Sequence, residues 1–246
     1  MEKLFDIVFE NEDLLIINKS AGLVCHPTKT DEYSSLVGRL RLYLGAEVQG
    51  RLVNRLDRET SGVTVVGKNS KVAGELGKLW EARQVQKIYL AIVHGHPVDE
   101  KFCIEAPLGK DLGSIVAVKD CVRLDGIEAS TQVTVLSRFQ RSIQGGGMKP
   151  FSLAKVKPQT GRKHQIRIHL AHAGHAIVGD KLYGGDEDLY LALVQDRLTS
   201  EQWSRLLLPH QALHASEVRF AWRGVAWHFT CQPEPWFVDF FSNLIE

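Results

Sequence analysis

Two short apolar runs open the chain, Phe5 to Phe9 and Leu14 to Asn18, and the polar stretch Glu10-Asn11-Glu12-Asp13 separates them. The pattern predicts a β-hairpin. Leu36, Leu40 and Leu44 then recur on one side, with Arg39 and Arg41 beside them, which predicts a helix capped by Ser34 or Ser35 and stopped at Gly45. Val63-Thr64-Val65-Val66 reads as a strand, and after Ser70 a helical stripe follows in Val72, Ala73, Leu76, Leu79 and Trp80. Lys87 to Val93 is β-branched and aromatic in the manner of a buried strand, and Thr131 to Ser137 reads as another. Lys155 and Lys157 sit on a further strand pattern, and Gly145-Gly146-Gly147 marks a loop tip before it. Pro107 to Arg123, with Lys110, Lys119 and Arg123 among glycines and two aspartates, is open between a solvated loop and a hairpin reaching toward a polyanion. Pro235 opens a closing helix through Trp236, Phe237, Phe240, Phe241, Leu244 and Ile245.

Composition narrows this picture. At 246 residues and 44% hydrophobic, the chain is long enough for one substantial core, and we expect a single domain over 1–246. Thirty Lys and Arg against 29 Asp and Glu leave a formal net charge of +1, so any nucleic-acid face must be local. Cys25, Cys103, Cys121 and Cys231 are far apart and form no C-x-x-C pair, which argues against a disulfide framework and fits free thiols in a reducing compartment. No basic leader and no long apolar span is evident, so the expected setting is the cytoplasm. There is no internal repeat, low-complexity tract or linker.

The stretch that carries chemistry is Asn54-Arg55-Leu56-Asp57-Arg58-Glu59-Thr60-Ser61-Gly62. It sets one aspartate between two arginines, and positive neighbours favour the charged form of a carboxylate, which suits a nucleophile. Thr60, Ser61 and Gly62 have the chemistry of a tight turn. An ordinary exposed ion pair beside a turn is the bland alternative. A second concentration lies from Lys155 through His175, which holds five Lys or Arg residues and no Asp or Glu. Its histidines His164, His169, His172 and His175 could be taken for metal ligands, but no nearby carboxylate completes a ligand motif before Asp180, so no metal is expected.

The nonapeptide closely resembles the H-R-L-D-x-x-T-S-G signature of the RluA-type pseudouridine synthases, and eight of its nine positions fit, Asn54 standing where that family usually has histidine. Lys19-Ser20-Ala21-Gly22, followed by Leu23-Val24 and His26-Pro27, is similar to the family's first motif, with Ser20 in place of proline. Lys87-Ile88-Tyr89-Leu90-Ala91 matches its K-x-Y-x-A segment, with Tyr89 32 positions after Asp57. Gly161-Arg162-Lys163-His164-Gln165-Ile166-Arg167-Ile168-His169 matches G-R-x-H-Q-I-R-x-H, and Val178-Gly179-Asp180 and Leu213-His214-Ala215 match later segments.

The resemblance implies an α/β (α+β) pseudouridine synthase fold, a mixed and largely antiparallel sheet split by an active-site cleft and flanked by helices. It implies isomerisation of uridine in structured tRNA or rRNA without cofactor or metal. By position, Asp57 would be the catalytic carboxylate, Tyr89 the active-site tyrosine, Arg167 the guanidinium that pairs with Asp57, and Arg55 the residue that fills the space left by a flipped nucleotide. Arg55, Arg58, Lys155, Lys157, Arg162, Lys163 and His164 are the expected RNA contacts, and the chain is expected to act as a monomer. The run before Phe5 is too short for the small N-terminal RNA-binding domain that many relatives carry, so recognition is expected to fall to the catalytic domain. The alternative raised by Asn54 and Ser20 is a catalytically inactive RNA-binding or RNA-chaperone protein on the same fold.

Overall fold

The computed structural model describes residues 5–26, 34–45, 50–143 and 147–242. Pro27, Gly145, Gly146, Leu244 and Ile245 lie outside the described residues. In chain order the elements are β1 (Asp6–Glu10), β2 (Leu14–Lys19), α1 (Leu36–Leu44), β3 (Arg51–Leu52), β4 (Ser61–Gly67), α2 (Ser70–Glu81), β5 (Gln86–His94), β6 (Lys101–Glu105) and β7 (Leu108–Lys110). They continue as β8 (Asp120–Val122), β9 (Ser130–Ile143), β10 (Gly147–Pro158), α3 (Gln165–His172), α4 (Asp188–Val194), α5 (Ser200–Leu206), β11 (Leu213–Trp222), β12 (Val225–Thr230) and α6 (Pro235–Ser242). The fold is mixed α/β, with mostly antiparallel strands flanked by helices, and the chain divides into two compact units.

The first unit comprises the chain up to Ile88 and His214–Glu234. Its strands run in the order β1-β2-β4-β11, with β3 added to β4 and β12 to β11. All of these pairings are antiparallel except β4 with β11, which is parallel. The run Leu14-Leu15-Ile16-Ile17 is buried on both faces of its strand, and successive side chains serve different cores. Leu14 and Ile16 join Val63, Val65, Val72, Leu76, Phe220 and Phe229, whereas Leu15 and Ile17 join Leu36, Leu40 and Val66. Helix α1 is capped by Ser35, whose hydroxyl accepts from Gly38 N at 3.1 Å, and it ends at Gly45 with φ 86°. Helix α2 takes its cap from Asn69 through a 2.9 Å bond from Val72 N.

In the second unit, from Tyr89 to Leu213 and onward from Pro235, the strand order is β5-β10-β9-β6, all antiparallel. Strand β9 is 14 residues long, twice the stretch that its alternating pattern predicts, because its distal half pairs with β10 while Leu136 and Arg138 stay exposed. Phe151, Ala154, Val156, Ile166, Leu170, Phe237 and Phe240 share its core. The open segment after Pro107 resolves as a hairpin, with Leu108 opposite Val122 and Lys110 opposite Asp120. Helices α4 and α5, seven residues each, are too short for periodicity to announce. No described helix is long and apolar enough to cross a membrane.

Close packing of α2 on β4 depends on Gly67, where an added Cβ would lie 2.6 Å from Ala73 N and 2.8 Å from Ala73 Cα. Because both obstacles are helix backbone, Gly67→Ala is expected to lower the unfolding free energy by about 1–3 kcal/mol in chemical denaturation. An unchanged midpoint would show that α2 yields without cost.

Candidate active site

The Asp57 stretch runs as a loop from the end of β3 into β4, and bonds on both flanks fix its course. On its N-terminal side Asn54 clasps the strand that follows: its Nδ2 donates to Val63 O at 3.2 Å, and its Oδ1 accepts from Val65 N at 2.7 Å. Both functions of the amide are used by backbone, so the residue that departs from the expected histidine has a defined local task. The turn closes through Thr60 N, which donates to Asp57 O at 3.1 Å. Asp57 is half-buried, and Arg55 and Arg58 on either side are exposed.

The opposite wall of the turn is the stretch after β2. Lys19 is fully buried, and its ammonium donates to three carbonyls, Leu23 O at 2.8 Å, Ser20 O at 2.9 Å and Arg58 O at 3.1 Å. Arg58 is held again by its backbone, which accepts from Gly22 N at 2.9 Å, and by its Nε, which donates to Gly22 O at 3.2 Å. Cys25 Sγ reaches Leu56 O at 3.2 Å. The first motif therefore supports the Asp57 turn. Ser20 contributes only a carbonyl here, which proline would also carry.

Ser61, read from the sequence as part of a tight turn, opens β4 and lies 2.9 Å from the ring of His214, 153 residues away on β11. Gly62 follows with φ 120°, and an added Cβ would stand 2.3 Å from Ala215 O, so only glycine admits β11 this close.

In the second unit, Tyr89 is half-buried on β5, opposite Val156 of β10, and cross-strand partners share a face. Val156 is fully buried in the core that contains Ile166 and Leu170 of α3, so Tyr89 shares that face. Lys155 and Lys157 alternate with Val156 and pair with Thr134 and Gln132 of β9, which puts them on the other face of the sheet. Their run with the basic loop is thus a feature of sequence order that strand geometry divides. Arg162 and Lys163 lie in the loop before α3, where Arg162 Nε donates to Glu128 O at 3.2 Å and Lys163 pairs with Asp120 at 2.8 Å.

Arg167 is buried on α3 and held in a fork by Asp180, with Nε to Oδ2 at 2.7 Å and Nη2 to Oδ1 at 2.9 Å. Asp180 also accepts from Leu182 N at 2.9 Å and Tyr183 N at 3.0 Å. Burial alone would push its carboxyl up, but the Arg167 charge and these bonds outweigh it and hold it below the usual carboxylate range. The guanidinium stacks 4.9 Å from the Tyr183 ring, whose hydroxyl meets His164 Nδ1 at 2.9 Å. Sequence reasoning missed Asp180 as the residue that orients Arg167, because its only signal was membership of a matching segment 13 positions downstream.

His169 and His175 are bonded within the fold. His169 bonds Thr131 Oγ1 at 2.8 Å and Ala106 O at 2.9 Å, and His175 Nδ1 bonds His94 O at 3.0 Å. Among the described residues, no group of three or more His, Cys, Asp or Glu side chains is placed to hold a metal ion.

The sequence profile of the RNA pseudouridylate synthase family matches residues 13–172 of the chain. The chain belongs to the RNA pseudouridylate synthase family. It is 34% identical over 224 residues to tRNA pseudouridine synthase C of Vibrio cholerae, covering 88% of this chain and 85% of that one. An uncharacterized RNA pseudouridine synthase of Aquifex aeolicus is 34% identical over 186 residues, covering 73% of this chain and 56% of its own. Across this relative and two others that match as well, the chain spans 56% to 65% of the relative's length. Among solved structures, human RNA Pseudouridylate Synthase Domain Containing 1 superposes with a TM-score of 0.72 at 26% identity, covering 96% of this chain and 86% of that one.

Burial pushes the Lys19 ammonium down to about 8, against the opposing pull of Cys25, Glu234 and Asp57. Between that value and the ordinary lysine range, the unfolded chain keeps a proton that the folded chain has released, so this group makes stability rise with pH. Wild-type protein should therefore gain stability relative to Lys19→Met as pH rises through that window in denaturant titrations. A constant difference would mean that Lys19 titrates as if exposed.

Proposed function

We propose that this chain isomerises uridine to pseudouridine in structured RNA, either tRNA or rRNA, with Asp57 as the catalytic carboxylate. The observation that carries the reading is the Asp57 turn itself, a family signature held by Lys19, Gly22 and Asn54 through backbone bonds that leave little freedom to its main chain. Such fixing is what a reaction at a buried sugar centre requires, because misplacement of a reacting group is costly in rate. The reaction breaks the bond between C1′ and N1 of uridine and joins C1′ to C5 of the turned base. The C5 hydrogen then leaves as a proton, and N1 regains one. A carboxylate nucleophile is an established strategy at a glycosidic centre. Tyr89 and Arg167, both in the second unit, keep in this proposal the roles that the resemblance assigns them.

The inactive RNA-binding alternative drew its support from Asn54 and Ser20. Asn54 makes two bonds to β4 backbone and Ser20 serves through its carbonyl, so neither departure speaks for a lost activity. The target base must leave its stack, and Arg55, exposed beside Asp57, is proposed to occupy the vacated space. Arg58, Arg162, Lys163 and His164 are proposed to contact the RNA. Free cysteines suit a cytoplasmic setting for this work.

Asp57→Asn preserves size and removes the charge, so it should give no detectable pseudouridine under single-turnover conditions while RNA affinity stays within a few fold. Measurable turnover by this variant would sink the assignment. The sheet register adds a second test. Arg162→Ala and Lys163→Ala should each weaken RNA binding and reduce the salt slope by about 1, whereas the pair Lys155→Ala and Lys157→Ala should leave the slope unchanged. A slope lost with Lys155 and Lys157 would place the RNA on the opposite face of that sheet.

A further inference from the structure

The contact between Ser61 and His214 is a candidate for more than packing. Both residues are buried, and they face each other where β4 and β11 pair in parallel, His214 registering with Ser61 and Ala215 with Gly62. The hydrogen positions follow from the chemistry of the partners. His214 Nε2 lies 3.1 Å from Cys231 O, which can only accept, and 3.5 Å from Cys231 Sγ, whose proton has Ala215 O as its own acceptor at 3.5 Å, so Nε2 carries the proton. Burial pushes the ring down to about 4, partly offset by that carbonyl, so it is neutral near pH 7 and Nδ1 is bare. Nδ1, 2.9 Å from Ser61 Oγ, must then accept the hydroxyl proton. The chain of bonds runs from Ser61 through the His214 ring to the backbone of Cys231.

This direction matters for the turn. A serine hydroxyl at the end of a loop commonly competes for nearby backbone carbonyls and so offers the loop another conformation. Here its single proton is committed to a ring on β11. Ser61 is four residues after Asp57 and directly follows Thr60, whose N–H closes the Asp57 turn. We infer that His214 is a positioning residue, holding Ser61 so that the Asp57 turn enters β4 in one fixed conformation.

The inference rests on the catalytic role proposed for Asp57, and its test separates the two. In protein labelled with ¹⁵N-histidine, two-bond proton–nitrogen correlations should show His214 as the Nε2–H tautomer, still neutral at pH 6, with its Nδ1 resonance displaced in Ser61→Ala. An Nδ1–H tautomer or a charged ring at pH 6 would overturn the inference without any activity measurement. In kinetics on bulk tRNA and rRNA transcripts, Ser61→Ala and His214→Ala should each lower the single-turnover rate about 10- to 100-fold with RNA affinity unchanged. His214→Asn, whose amide oxygen can accept the Ser61 proton, should recover part of that loss. Wild-type rates in Ser61→Ala beside an inactive Asp57→Asn would overturn the positioning role alone. Turnover by Asp57→Asn would overturn the catalytic reading beneath it. If the alanine variants do not fold, the tautomer and neutrality of His214 in the wild-type protein decide the matter.

Discussion

A cation removed from water must be repaid in hydrogen bonds, and the fully buried ammonium of Lys19 finds three carbonyls to satisfy it. One of them belongs to Arg58, so the requirement of a lysine at the end of β2 becomes a restraint on the loop that carries Asp57. The backbone bonds between Gly22 and Arg58 run beside it and repeat the restraint. The double-faced burial of β2 explains why this restraint is rigid. With Leu14 and Ile16 in one core and Leu15 and Ile17 in another, the strand cannot slide without exposing apolar side chains.

Much of this was legible in the sequence because it is local. The first hairpin, the Ser35 cap, the helix after Asn69 and the strand around Tyr89 each follow from a pattern confined to a dozen residues. The Asp57 stretch was readable for the same reason, since a rare run of residue types points to its own chemistry. What the sequence withheld depends on pairing across long separations. Nothing in the spacing links Ser61 to His214, and nothing marks Asp180 as the partner that forks onto Arg167. Lys155 and Lys157 show the same limit from the other side. They are close in sequence to Arg162 and Lys163, yet strand alternation turns them to the face away from Tyr89.

The two arginines central to the family signatures stand in different electrostatic settings. Arg55 is exposed, whereas Arg167 is buried, forked onto a fully buried carboxylate and stacked on Tyr183. A lysine would serve the second setting poorly, because it lacks the planar fork that Asp180 engages. The departures at Asn54 and Ser20 fall where backbone contacts dominate, which is why they leave the geometry of the turn intact.

The proposed rearrangement of uridine is separable from RNA binding alone. Its most direct test is release of tritium to water from tRNA and rRNA transcripts labelled at C5 of uridine, since that hydrogen is lost as C5 becomes the glycosidic carbon. Release should rise with enzyme and stop at a whole number of uridines per transcript. Tight RNA binding with no release from any transcript would contradict it.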